Sequence, residues 1–144
     1  MLKAVYISYD GILEALGQSQ VLSYLKDLSN KGIEFFLVSF EKKRYLDNIF
    51  WKKRLKSGLN LFNIKWFYLV YHKRPAVLST FFDIFCGFVV CVFIVLKERP
   101  KVVHARSYVA SLIAWSLKKI FSLKFIFDMR GFWADERVEG RIWK

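Results

Sequence analysis

Five short apolar runs, separated by segments of helical period, constrain this chain most. "AVYISY" (4–9), "IEFFLVSF" (33–40), "IKWFYLVY" (64–71), "KVVHA" (101–105) and "KFIFDM" (124–129) show little polar alternation, as expected of strands covered on both faces. Between the first two, "SQVLSYLKDLSNKG" sets Val21, Leu25 and Leu28 on one helical face, with Ser19 placed as an N-cap and Gly32 beyond the end. "YLDNIFWKKRLKSG" reads as a second helix running to Gly58, and "SYVASLIAWSLKKIFS" as another, capped by Ser107, with Val109, Ile113, Leu117 and Ile120 near one stripe. Alternating elements of these lengths predict an α/β fold: a Rossmann-like, doubly wound, mostly parallel sheet joined by right-handed crossovers.

The segment 77–96 is the awkward one, because its only charge is Asp83 and its length of about 20 residues is enough to cross a bilayer. A mid-helix Asp costs about 2.5–3.5 kcal/mol of insertion, against about 0.3–0.6 returned by each Val, Leu, Ile or Phe. Lys73 and Arg74 precede it and Lys97, Arg99 and Lys101 follow it, so charge gives no orientation. A span would also isolate strands that the sheet needs. The preferred expectation is a crossover helix that is buried or touches a membrane.

At 144 residues and 55% apolar, the chain suits one domain with ample core. Its formal charge of +12 favours anionic partners. Much of that charge is local: residues 42–74 hold ten cations and one acid, Asp47. Trp51 stands there beside Lys52, Lys53 and Arg54, a mixture suited to the boundary between lipid head groups and acyl chains. These four are the candidate membrane-surface residues; single-stranded nucleic acid is the weaker alternative, and a solvated helix face the plain one. Cys86 and Cys91, five apart, are separated by about 140° on a helix, unsuited to a disulfide or a two-thiolate metal grip. No metal motif and no secretory signal is present in the sequence, which implies a cytosolic, reducing setting.

In an open parallel sheet, ligands sit beyond the carboxyl ends of the strands. Gly11 and Gly17 follow the first strand, where glycine permits unusual backbone angles and close ligand approach, and the helix start near Gln18, Ser19 and Gln20 would present amides to a phosphate. An ordinary turn explains two glycines equally well. Glu41, after the second strand, stands where a dinucleotide-binding protein holds a ribose. Further strand ends carry His104 and Arg106, then Asp128, Arg130 and Glu136. Polar groups able to bind hydroxyls, beside an anion cradle, suggest a sugar phosphate or nucleotide sugar.

Together, "SYDGILEALGQSQVLSYLKDLSNKGIEFFLVSFEK", "VVHARSYVASLIA" and "FDMRGFWADERVEG" resemble the N-terminal domain of a bacterial GT-B glycosyltransferase of the family-4-like retaining group. The resemblance implies that residues 1–144 form an acceptor-side domain, truncated, with the C-terminal donor-binding domain absent and needed in cis or in trans. It implies Gly11, Gly17 and Gln18 at the donor diphosphate, His104 as the catalytic residue beside the reacting sugar, and Arg106, Asp128, Arg130 and Glu136 on the acceptor side. A nucleotide sugar would give its hexose to a glycan or lipid-linked acceptor in surface polysaccharide biosynthesis, with retention and without a metal or other cofactor. The expected location is cytoplasmic, peripheral at the inner face of the cell membrane, with no nucleic acid as partner. The competing expectations are a non-catalytic anion- or membrane-binding module and a nicotinamide dinucleotide-binding protein.

Overall fold

A computed structural model of the chain describes residues 1–129. The five apolar runs form five strands, β1 (Leu2–Ser8), β2 (Ile33–Glu41), β3 (Ile64–Val70), β4 (Val102–Arg106) and β5 (Lys124–Asp128). All pair in parallel, in the order β3-β2-β1-β4-β5. The connection from β3 back to β4 crosses the whole of the first half and creates a switch point between β1 and β4. The sheet is therefore Rossmann-like, as the alternation of elements predicts.

Strand parity divides the core into two layers. On one face Ala4, Tyr6, Phe35, Leu37, Ile64 and Trp66 meet Val21, Leu22, Leu25 and Leu59 from helices α2 (Ser23–Asn30) and α4 (Ile49–Asn60) and the turn before α2. On the other, Val5, Ile7, Phe36, Val38, Phe40, Val103 and Ala105 meet α5 (Ala76–Glu98) and α6 (Tyr108–Phe121). Each fully buried Leu, Ile or Phe contributes about 1.5–3 kcal/mol of transfer free energy.

The first helix differs from expectation. It runs without a break from a short α1 (Ala15–Gly17) through a π-helical turn (Gln18–Leu22) into α2. Glu14, not Ser19, holds the cap position, and the Ser19 hydroxyl donates to the Leu16 carbonyl inside the helix. Gly11 and Gly17 adopt no positive φ; among the described glycines only Gly32 does, at 93° just past α2. The second expected helix is split into α3 (Lys43–Leu46) and α4, because the Asn48 side chain accepts the Trp51 amide and starts a new helix. Ser107 occupies the cap position of α6 without a side-chain cap bond.

Residues 77–96 belong to the crossover helix α5. Ser79, Asp83, Gly87, Cys91, Ile94 and Val95 recur at three- and four-residue spacing and face the sheet. A Cβ on Gly87 would meet the side chains of Ile113 and Phe40 at 2.7 and 2.8 Å, so glycine sets how closely α5 approaches its neighbours. Asp83 is 1% exposed and tied to the protein. Its carboxylate accepts the Tyr9 hydroxyl at 3.1 Å and the His72 amide at 3.1 Å, and lies 2.6 Å from His72 Nδ1.

Candidate functional site at the carboxyl edge of the sheet

β1 and β4 lie side by side with Tyr6 opposite His104 and Ser8 opposite Arg106. Beyond these residues the chain leaves toward opposite faces of the sheet, opening the crevice that such a reversal provides. It has a volume of about 260 Å³, with Tyr9, Gly11, Gly17, Lys42, Tyr71 and Arg106 among its walls. The first loop and the end of β4 thus share one rim and one cavity.

Both glycines are required by close approach. A Cβ on Gly17 would sit 2.3 Å from the Gly11 carbonyl oxygen and 2.7 Å from Ile12 Cα; one on Gly11 would sit 2.6 Å from Glu41 Oε2. Glu41 explains the second contact. It is buried, and its Oε1 accepts the Ile12 amide at 2.8 Å and the Ser39 hydroxyl at 2.6 Å, while Oε2 accepts the Leu13 amide at 3.1 Å. Burial pushes this carboxyl above its ordinary range, against the pull of those three donors. Both oxygens are engaged internally, so Glu41 holds the loop and does not reach out to a ribose. The amides of Ile12 and Leu13 are likewise occupied. The amides of Ala15, Leu16 and Gly17, past the cap residue Glu14, precede the first helical bond, from the Gln18 amide to the Glu14 carbonyl at 3.0 Å, and Glu14, Leu16 and Gly17 line the cavity. They are the donors left for an anion. Gln18 sits one residue further along, its side-chain amide donating to the Leu13 carbonyl at 3.2 Å.

His104 points to the α2 side of β4. Its ring lies edge-on to Tyr6 at 4.7 Å and to Tyr24 at 6.0 Å between centroids. It is 6% exposed, and its buried Nε2 has no hydrogen-bond partner among the described residues. Burial lowers its pKa, opposed by Asp128 and reinforced by Arg106, so the imidazole is neutral near pH 7. Burial raises the Tyr6 phenol to about 12, keeping it a protonated donor beside Arg106. Arg106 bridges both sides of the crevice, donating to Gln20 Oε1 at 2.5 Å and to Asp128 Oδ2 at 3.3 Å. The next residue, Ser107, holds φ at 80°, and its Oγ is buried without a partner among the described residues. Strained backbone and unpaired buried polar atoms collect where a ligand is to be met.

Of the residues singled out in the sequence, Gly11, Gly17 and Arg106 line the cavity, with Gln18 beside its helical wall and His104 and Asp128 joined to it through Tyr6 and Arg106. Arg130 and Glu136 lie outside the described residues. Trp51, Lys52, Lys53 and Arg54 stand apart on α4, with the Arg54 guanidinium 5.7 Å from the Trp51 ring and the Lys52 ammonium 5.2 Å from that of Tyr68. Spacing alone missed Tyr6 and Tyr24 around His104, and the pair His72–Asp83; strand parity would have placed Tyr6 beside His104. Among the described residues no three His, Cys, Asp or Glu side chains converge as a metal site.

No protein-family model matches the sequence, and no curated protein matches it. Solved structures do match in fold. MurG of Acinetobacter baumannii superposes with a TM-score of 0.57 at 12% identity, over 96% of this chain and 39% of that one. A glycosyltransferase from Rickettsia africae ESF-5 gives 0.55 at 16% identity, over 88% and 29%. A deacetylase of the teicoplanin biosynthesis pathway gives 0.58 at 10% identity, over 85% and 65%. The chain thus spans less than two thirds of each. The likeness establishes a shared Rossmann-like architecture, and one that also carries deacetylase chemistry.

Proposed function

We propose that this chain is the acceptor-side part of a glycosyltransferase, of the family-4-like retaining GT-B kind, passing a hexose from a nucleotide sugar to a glycan or lipid-linked acceptor in surface polysaccharide biosynthesis. One observation carries the reading: Leu16 and Gly17 at the start of the first helix and Arg106 at the end of β4 border a single crevice at the switch point, with Asp128 paired to Arg106 and neutral His104 joined to Arg106 through Tyr6. The likeness in fold to a glycosyltransferase supports it.

In this scheme the amides of Leu16 and Gly17 and the helix dipole steady the leaving diphosphate, with Gly11 and Gly17 allowing the approach and Gln18 beside them. His104 Nε2, without a partner among the described residues and on a ring kept neutral by burial, accepts or donates a hydrogen bond at a sugar hydroxyl next to the reacting carbon. Arg106, held by Gln20 and Asp128, shapes the acceptor side, to which Arg130 and Glu136 also belong. Donor recognition falls to a second domain, in the same chain or supplied separately; no metal or other cofactor takes part. The enzyme works in the cytoplasm at the inner face of the cell membrane.

Transfer from nucleotide sugars by the protein complemented with a donor domain tests the proposal. His104→Ala lowers turnover by about 10²-fold or more while donor binding, measured separately, stays within a few-fold; unchanged turnover removes His104 from the mechanism. The engaged carboxylate of Glu41 disfavours the nicotinamide reading. Saturable dinucleotide binding abolished by Glu41→Gln would restore it.

A further inference from the structure

Away from the switch point, the carboxyl ends of β2 and β3 open on a basic basin that the proposed chemistry does not use. Lys42, Lys43, Arg44 and Lys73 surround its inner part with no carboxylate among its walls. A wider cavity of about 850 Å³ continues from it past Lys52, His72 and Arg74, with Asp47 and buried Asp83 as its acids. Lys42 is committed to Glu14 at 2.9 Å, whereas Lys43, Lys73 and Arg74 make no ion pair among the described residues. Asp83 fixes the His72 ring through Nδ1 at 2.6 Å, leaving Nε2 without a partner among those residues.

Directly after Arg74 the chain enters α5, and its outward face is apolar throughout. Leu78, Phe81, Phe82, Phe85, Val89, Phe93 and Leu96 recur every three or four residues, each at least half exposed. At about 1.5 Å per residue this stripe runs roughly 30 Å. Beside it on α6, Trp115 is half exposed, with the Lys119 ammonium 5.6 Å from its ring, and Lys97 lies 5.7 Å from the Phe93 ring. Aromatic and aliphatic surface rimmed by cations matches the interface of an anionic bilayer. An acidic protein groove would match the basin but not a flat apolar stripe of this length.

We propose that an anionic phospholipid bilayer docks here: a head-group phosphate seats among Lys43, Lys73, Arg74 and His72, and the stripe of α5 lies along the acyl boundary. This places the membrane on the α5–α6 face rather than on α4, which packs on the opposite face of the sheet and of whose Trp51–Arg54 cluster only Lys52 reaches the cavity wall. The inference rests on the membrane-side location in the functional proposal and not on sugar transfer.

Co-sedimentation of the full chain with vesicles of equal phosphatidylglycerol and phosphatidylcholine, and with phosphatidylcholine alone, tests it. Binding requires the anionic lipid. A Lys43→Glu, Lys73→Glu, Arg74→Glu variant and a Phe81→Ser, Phe85→Ser variant, both checked for native circular dichroism, each lose about tenfold or more in partitioning. The Lys53→Ala, Arg54→Ala variant, which spares the cavity wall, stays within about twofold of the parent. Equal binding to neutral vesicles, or loss confined to the α4 variant, overturns the proposal. Full displacement by millimolar inorganic phosphate overturns it too, assigning the basin to a free anion. Sedimentation as expected with no sugar transfer by the complemented protein would fail the functional reading alone.

Discussion

Gly17 is the residue at which one added methyl group does most harm. The obstacles to a Cβ there are the backbone of Gly11 and Ile12, which cannot swing aside as a side chain can. Gly17→Ala costs about 1–3 kcal/mol or more in urea unfolding; at Gly11 the nearest obstacle is the Glu41 carboxylate, and Gly11→Ala disturbs the loop bonds as well. Two glycines after an apolar run were legible as a constraint, but not its cause, because the partner that fills the loop is a carboxylate from the end of another strand. His104 carries a pH signature. Its folded pKa is lowered by burial, so the folded state holds fewer protons than the unfolded one. Stability from this residue is complete above the ordinary histidine range of about 6.5 and is lost as pH falls through the folded value. Wild-type unfolding free energy therefore drops from pH 7.5 toward 5 by up to about 1.4 kcal/mol per unit more than that of His104→Gln. Parallel pH profiles of the two proteins would refute the assignment.

Among the elements, α5 shows how a buried charge can lock a helix of apolar sequence. Asp83 joins Tyr9 after β1 to His72 after β3, and the hydrogen-bond donors it serves would be stranded by its loss. Asp83→Ala costs about 2–4 kcal/mol in chemical denaturation and Asp83→Asn clearly less, since the amide oxygen still accepts. From composition alone this segment was poised between crossover and membrane span. The long-range partners of the one charged residue decide its course, and they lie beyond any local window. Strand positions were legible to within one or two residues because apolar runs of this length have few other uses. Helix starts were less so: Ser19 has the chemistry of a cap but lies inside a π-helical turn, and Asn48 restarts a helix within a continuous polar pattern.

Across the whole molecule, stability falls from the middle of the sheet outward. Val5, Tyr6 and Ile7 of β1 and Phe36, Leu37 and Val38 of β2 are buried on both faces, whereas β5, the outermost strand on its side among the described residues, leaves Ile126 and Phe127 well exposed. Amide hydrogen exchange is slowest in β1 and β2 and at least tenfold faster in β5; uniform protection would show a cooperative unit that includes the edge. The alternation of elements foretold a doubly wound sheet, while the meeting of Gln20, Arg106 and Asp128 could emerge only from strand order, since 86 residues separate Gln20 from Arg106. That order also sets a schedule for synthesis on the ribosome. β1, β2 and β3 can assemble once residue 70 has emerged, but the other side of β1 stays unpaired until β4 appears some thirty residues later. Throughout that interval the greasy α5 is being extruded beside a half-built sheet. A nascent chain paused there offers a holdase both an open ribbon edge and an uncovered helix, so translation speed between residues 70 and 106 governs how much protein is recovered folded.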